Sequence, residues 1–162
     1  MLLQKNGGAM SDTFTKIHLH IVFAVKDRAC IISSSWKDQL YAYITGIIQN
    51  NGHKVLAING MKDHVHVFIG LRPNQALSEL MRCIKRDSTT WINQKRLTAG
   101  KFSWQEGYGA FSYSESHIEK VIEYIKNQEK HHKKKTFQEE FMQMLEVFKV
   151  EQNRKKLFEW IE

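Results

Sequence analysis

Two histidine pairs in the chain have spacing that could do chemistry, His18-Leu19-His20 and His64-Val65-His66. In an extended strand, side chains two apart share a face, so each pair would present two imidazoles together while Leu19 or Val65 points the other way. Two neutral imidazoles on a rigid strand suit a divalent transition metal, and also Mg2+ or Mn2+ if oxygen ligands complete the set. The spacing alone is weak, because eight histidines among 162 residues give on the order of 0.4 such pairs by chance. Histidines on a half-exposed sheet, or on a nucleic-acid-binding face, explain either pair equally well. Later in the chain Tyr124 and Gln128 stand one helical turn apart, which puts a phenol and an amide oxygen on one flank of a helix. If that helix crosses the histidine face, a nucleophile and a metal ligand share a site. If not, Tyr124 shields a core edge and Gln128 is solvated.

The elements that must position these residues are legible from periodicity. Between Thr15 and Val25, Ile17, Leu19, Ile21 and Phe23 alternate with His18, His20 and Val22, which predicts a strand with the histidines on its outer face. Ser33 to Ser35 offer N-caps for a helix carrying Trp36, Leu40, Ile44 and Ile47, stopped by Asn51-Gly52. Lys54 to Asn59 and His64 to Leu71 form a hairpin around Gly60-Met61-Lys62-Asp63. Leu77, Leu80, Met81, Ile84, Trp91 and Ile92 mark a long amphipathic helix, broken near Leu97 to Gly100. A short strand is expected around Ala110 to Tyr113, followed by a helix capped by Ser114 or Ser116 and running through Ile118, Val121, Ile122 and Ile125 to about Lys130. The order strand, helix, strand, strand, helix, strand predicts an α+β fold. It is a ferredoxin-like split β-α-β sandwich, both crossover helices covering one sheet face, with an added C-terminal tyrosine-bearing helix and a helical tail.

Composition bounds the function. With 42% apolar residues and one proline, the chain suits a single packed domain. No apolar run reaches the ~18 residues of a membrane helix and no signal peptide is evident, so a cytoplasmic protein without membrane contact is expected. Cys30 and Cys83 lack metal-site or disulfide spacing and are expected to be packing residues. The net charge of +7 favours a polyanionic partner through counterion release. Lys85 and Arg86 on the second helix and Lys133 and Lys134 in the run Lys130 to Lys135 are candidates for tracking a nucleic-acid backbone, with a solvated basic face as the plain alternative. Trp104, Tyr108, Phe111 and Tyr113 could stack on bases, but aromatics at this density more often build core. Residues 1–9 precede a second methionine and are expected to be a disordered extension, residues 10–135 the catalytic domain, and residues 136–162 a helical tail bearing Phe137, Phe141, Leu145 and Phe148, then Leu157 to Trp160.

Three ordered blocks narrow this further: Asp63-His64-Val65-His66-Val67-Phe68, then Trp104-Gln105-Glu106-Gly107-Tyr108-Gly109-Ala110-Phe111, then Tyr124-Ile125-Lys126-Asn127-Gln128 followed by His131-His132. Together they resemble the single-tyrosine HUH transposases of small, IS200-like insertion sequences, over most of Thr15 to Phe141. The resemblance implies that His64, His66 and Gln128 hold a divalent metal, Mg2+ or Mn2+, and that Tyr124 is the nucleophile. It implies single-stranded DNA with hairpin ends as substrate, a 5′-phosphotyrosine intermediate, and a homodimer, with the tyrosine helix serving either its own or the other subunit's histidines. A bound cation would polarise the scissile phosphate, and the phosphotyrosine would conserve the bond energy for rejoining without ATP.

Two other classes compete. One is a non-catalytic single-stranded nucleic-acid-binding protein of ferredoxin-like fold, in which Tyr124 is incidental. The other is a zinc hydrolase built from His18, His20, His64 and His66. The resemblance leaves His18 and His20 outside the metal motif, so replacing them is expected to affect cleavage modestly, whereas His64→Ala removes it.

Overall fold

The computed structural model describes residues 13–151. Its elements are β1 (His18–Ala24), α1 (Lys37–Asn50), β2 (Lys54–Gly60), β3 (His64–Gly70), α2 (Leu77–Gln94), β4 (Gly109–Tyr113), α3 (Ile118–Lys126), α4 (Gln128–His132) and α5 (Phe137–Val147). The strands form one sheet in the order β2-β3-β1-β4, with every neighbouring pair antiparallel. Two β-α-β units thus interleave their strands, which is the expected ferredoxin-like arrangement. The expected extension 1–9 and the segment Leu157 to Trp160 lie outside the described residues.

One face of the sheet follows directly from the alternation. Ile21 and Phe23 of β1 and Val65, Val67 and Ile69 of β3 pack beneath Leu40, Ile44 and Ile48 of α1 and Leu80 and Ile84 of α2. The other face is not the solvent face that the alternation suggests. Val22, Ala24 and Phe111 lie under Phe137, Phe141 and Leu145 of α5, and Ala57 and Phe68 lie under Val121 and Ile125 of α3. His20, His64 and His66 are buried on this same face. A period of two separates the faces of a strand, but it does not tell solvent from a second packed layer.

Several local expectations shift for identifiable reasons. Trp36, not a serine, holds the N-cap position of α1; Ser33 instead accepts the Ser35 amide and builds the turn before the helix. Ser114 and Ser116 likewise bond the His117 ring, at 2.9 and 3.3 Å, rather than capping α3. The tyrosine helix ends at Lys126 instead of continuing to about Lys130. There the Asn59 side-chain amide donates to the carbonyls of Ile125 and Lys126 at 3.0 and 3.1 Å, satisfying groups that a helix end leaves without partners. The chain turns at Asn127 and restarts as α4.

The phenylalanine stripe of the tail docks on the chain's own sheet. Thr136 and Glu139 form a reciprocal capping box that starts α5, which fixes where the stripe begins. A Cβ placed on Gly109 would lie 2.7 Å from Cε2 of Phe141, so only glycine lets this helix lie flush on β4. Cys83 packs at the edge of the first core, as expected, but Cys30 is exposed. Among the described residues, no helix is long and apolar enough to cross a membrane.

Candidate active site

The site forms where β1 and β3 carry their histidines beneath α3, α4 and α5. His64 and His66 project from one face of β3, as their spacing requires, and both are fully buried. Each ring is held from behind through Nδ1. The His64 Nδ1 lies 2.7 Å from Oδ1 of Asp63, and Arg28 donates to the other oxygen of the same carboxylate at 3.1 Å. Arg28 is brought there by two successive left-handed residues, Asp27 and Arg28 at φ 55° and 51°. Burial opposes the charge on Asp63, but the bonds from His64 and Arg28 outweigh it and hold its carboxyl below the ordinary value. An ionised Asp63 accepts only, so the His64 proton sits on Nδ1 and the lone pair of Nε2 faces the site.

His66 is held by a residue that sequence reasoning set aside. His20 Nε2 lies 2.8 Å from His66 Nδ1, and the rings stack with centroids 5.0 Å apart. The register explains the reach: His20 stands opposite Phe68 and Val22 opposite His66, so His20 and His66 are diagonal neighbours on one face. Burial is the main reason that the His20 pKa falls to about 4 and that of His66 well below its ordinary value. Both rings are therefore neutral near pH 7. His18 is on the rim, 3.9 Å from the carboxylate of Glu115. The four histidines of the hydrolase alternative do not converge as ligands.

Among the described residues, the side chains grouped so that they could hold a cation are His64, His66, His132 and Glu140, with one donor atom from each lying within 4.8 Å of the others. His64 Nε2 and His66 Nε2 are buried and make no hydrogen bond, which is how ligand nitrogens are left when their outer nitrogens are occupied. Gln128 is fully buried among them; its Oε1 is 3.1 Å from His132 Nε2 and its Nε2 3.4 Å from Glu140 Oε1. Two imidazoles with amide and carboxylate oxygens fit a first-row divalent ion, or Mg2+. His132 and Glu140 were not singled out by spacing, since one follows the chain turn at Asn127 and the other belongs to the tail. The only sequence signal for His132 was its place in the His131-His132 pair.

Tyr124 lies beside these groups. Its ring is 6.2 Å from those of both His20 and His66, and its hydroxyl donates to Glu140 Oε1. In this chain the tyrosine helix thus crosses its own histidines. Burial, then the nearby Glu140 carboxylate, pushes the Tyr124 phenol well above its ordinary range. Glu140 is displaced the other way: burial opposes its charge, but His132 and Tyr124 hold it below its ordinary value. Even on ordinary values, proton transfer from a phenol to a carboxylate is uphill by roughly 8 kcal/mol. Glu140 by itself is therefore a poor base for Tyr124, and a nearby cation would be the stronger activator.

A cavity of about 530 Å³ opens onto this point, lined by Tyr113, Lys120, Tyr124, Lys134, Lys135 and Glu140 among others. Lys134 therefore faces the cleft, whereas Lys133 lines a neighbouring hollow with Lys37 and Lys62. The other two basic candidates lie on α2, over the opposite sheet face. Arg86 is exposed and bonds Asp87 at 2.8 Å. Lys85 donates to the carbonyls of Gln105 and Gly107, and burial lowers its pKa to about 8; it anchors the aromatic loop. In that loop Trp104 and Phe111 are buried core residues, while Tyr108 and Tyr113 are half-buried.

The resemblance found in the sequence is matched by independent comparisons. Residues 13–128 match the family model described as Transposase IS200 like. ISDra2 transposase TnpA of Deinococcus radiodurans is 25% identical over 118 residues, covering 70% of this chain and 84% of that protein. In fold, the chain is similar to the crystal structure of a transposase candidate from Deinococcus radiodurans, with a TM-score of 0.56, 22% identity, and coverage of 75% of this chain and 98% of the other. It is also similar to a REP-associated tyrosine transposase bound to a REP hairpin, with a TM-score of 0.55, 14% identity, and coverage of 75% and 72%. The match spans both β3 histidines and ends at Gln128, and on that basis the chain belongs to the IS200-like transposase family.

Proposed function

We infer that this transposase cuts and rejoins single-stranded DNA at hairpin-bearing ends, with Tyr124 as nucleophile and with His64, His66 and Gln128 holding a divalent metal, Mg2+ or Mn2+. The observation that carries the reading is the meeting, in one buried site, of Tyr124 and Gln128 with two histidine nitrogens that make no hydrogen bond. The hairpin is inferred from the family and from the neighbour in fold described as bound to one. A bound cation would supply charge stabilisation at the scissile phosphate and lower the cost of forming the phenolate.

The chain's own residues do the rest. Asp63 keeps the His64 proton on Nδ1 and His20 Nε2 occupies the Nδ1 of His66, so both Nε2 atoms stay turned inward. His66, kept neutral by burial, is ready to ligate without first losing a proton. Tyr124 forms a bond from its hydroxyl oxygen to phosphorus while the bond to the 3′-oxygen breaks. The phenol gives up one proton and the departing 3′-oxygen gains one, so the step balances and is reversible on another 3′ end. Lys134, which lines the cleft, and the exposed Lys133 beside it would meet the DNA backbone; Arg86 would meet it only on the far side. A homodimer, in which each chain's Tyr124 meets its own histidines, and a cytoplasmic location complete the reading.

The test is covalent capture. Incubated with hairpin-bearing single-stranded DNA and Mn2+, the full chain should form a denaturant-resistant protein–DNA conjugate. Tyr124→Phe should abolish it while leaving DNA binding nearly unchanged. Binding without any conjugate would instead identify a non-catalytic single-strand binder.

A further inference from the structure

We propose that Glu140, on the tail helix α5, supplies the anionic ligand of the metal centre, with His132 beside it, so that the site is completed by a segment lying beyond the family-matched residues 13–128. This rests on the metal-dependent reading above and adds ligands to it. A carboxylate only 5% exposed is costly unless it is paired or bound to a cation. Glu140 is surrounded by the groups a ligand would have: His66 Nε2 at 3.3 Å, His132 Nε2 at 2.7 Å and the Gln128 amide at 3.4 Å. Two ligands of one first-row cation, each bonded at roughly 2.1 Å, lie at most about 4.2 Å apart. The observed spread of 4.8 Å therefore needs only small inward adjustments.

Glu140 is placed by the packing of α5. The capping box at Thr136 and Glu139 fixes the helix start, and Phe137 and Phe141 seat the same helical face on the sheet. Phe137 stacks on the His64 ring with centroids 3.9 Å apart. Helical spacing then turns residue 140 toward the histidines with residues 137 and 141. The Tyr124 hydroxyl donates to the same carboxylate, so a cation held by Glu140 would be adjacent to the nucleophile. The matched part of the chain provides neutral donors only; Glu140 adds the negative charge.

Mn2+ binding to the full-length protein, followed by the electron paramagnetic resonance signal of free Mn2+, tests this without any cleavage assay. Glu140→Gln should weaken binding by about a hundredfold, and His64→Ala should weaken it as well. Glu140→Asp, which keeps the charge on a shorter arm, should fall between Gln and the parent, and it keeps the test decisive should the Gln variant fail to fold. If His64→Ala loses Mn2+ while the Glu140 variants bind as tightly as the parent or more tightly, Glu140 only fills the site, and this inference fails while the His64 and His66 assignment stands. If Mn2+ binding ignores His64 too, the metal-dependent reading itself fails.

Discussion

His20 offers the sharpest test of how the site is built, because the bare sequence expects little from it. Replacing His20 with Phe keeps an aromatic ring against Phe111 and Tyr113 but removes the Nε2 that meets His66 Nδ1 at 2.8 Å. His66 is fully buried, so its Nδ1 would be left without a partner, at a cost of about 1–3 kcal/mol. Metal affinity should fall as well, since losing the outer partner of a ligating histidine costs about 10- to 100-fold. Mn2+ isotherms should therefore show a large loss for His20→Phe. His20→Gln, which can still offer an oxygen to His66, should recover part of it. His18→Ala, on the rim, should bind like the parent. Equal affinities for His20→Phe and the parent would refute the claim that His20 positions the metal ligand.

Acidification should destabilise the metal-free protein in a defined window. His20 and His66 are kept neutral by burial, so the unfolded chain takes up protons below about pH 6.5 that the folded chain refuses until about pH 4 for His20. Each costs up to about 1.4 kcal/mol per pH unit through that interval, and thermal midpoints should fall accordingly, less steeply for His20→Phe. Asp63 and Glu140, whose folded values are depressed, contribute stability that persists above about pH 4 and is lost only as pH falls through their folded values, so they act below this window. The basic residues should divide by placement. Lys134→Met should reduce the salt dependence of single-strand binding by about 0.7 in the log–log slope, whereas Lys85→Met should leave that slope alone and lower the thermal midpoint by roughly 2–4 °C through release of the Gln105 and Gly107 carbonyls.

Much of the fold was legible because it depends on local periodicity. The alternation in β1 and β3 and the apolar stripes of α1 and α2 define one sheet face and the helices that cover it. Helix ends were less legible where the deciding partner is distant: Asn59, on β2, satisfies the carbonyls that end α3. The status of the second sheet face was not legible at all. His20 alternates like a solvent-facing residue, yet α3 and α5 return over it and leave it 1% exposed.

The amino-acid sequence by itself determined that His64 and His66 project together, that Tyr124 and Gln128 come within one turn of each other, and that three ordered blocks mark an IS200-like transposase. Those features are short-range or lie in motifs, and the chain geometry carries them without reference to the rest of the molecule. The tertiary structure alone decided that Asp63 with Arg28 and His20 stand behind the two β3 histidines, and that His132 and Glu140 join them in front. Glu140 is separated from His66 by α2, β4, α3 and α4 and by the change of direction at Asn127. Its approach depends on a glycine on β4 that lets Phe141 lie close and on a phenylalanine stripe that needs that face for burial. Contacts of that kind follow from packing, which has no period in the sequence.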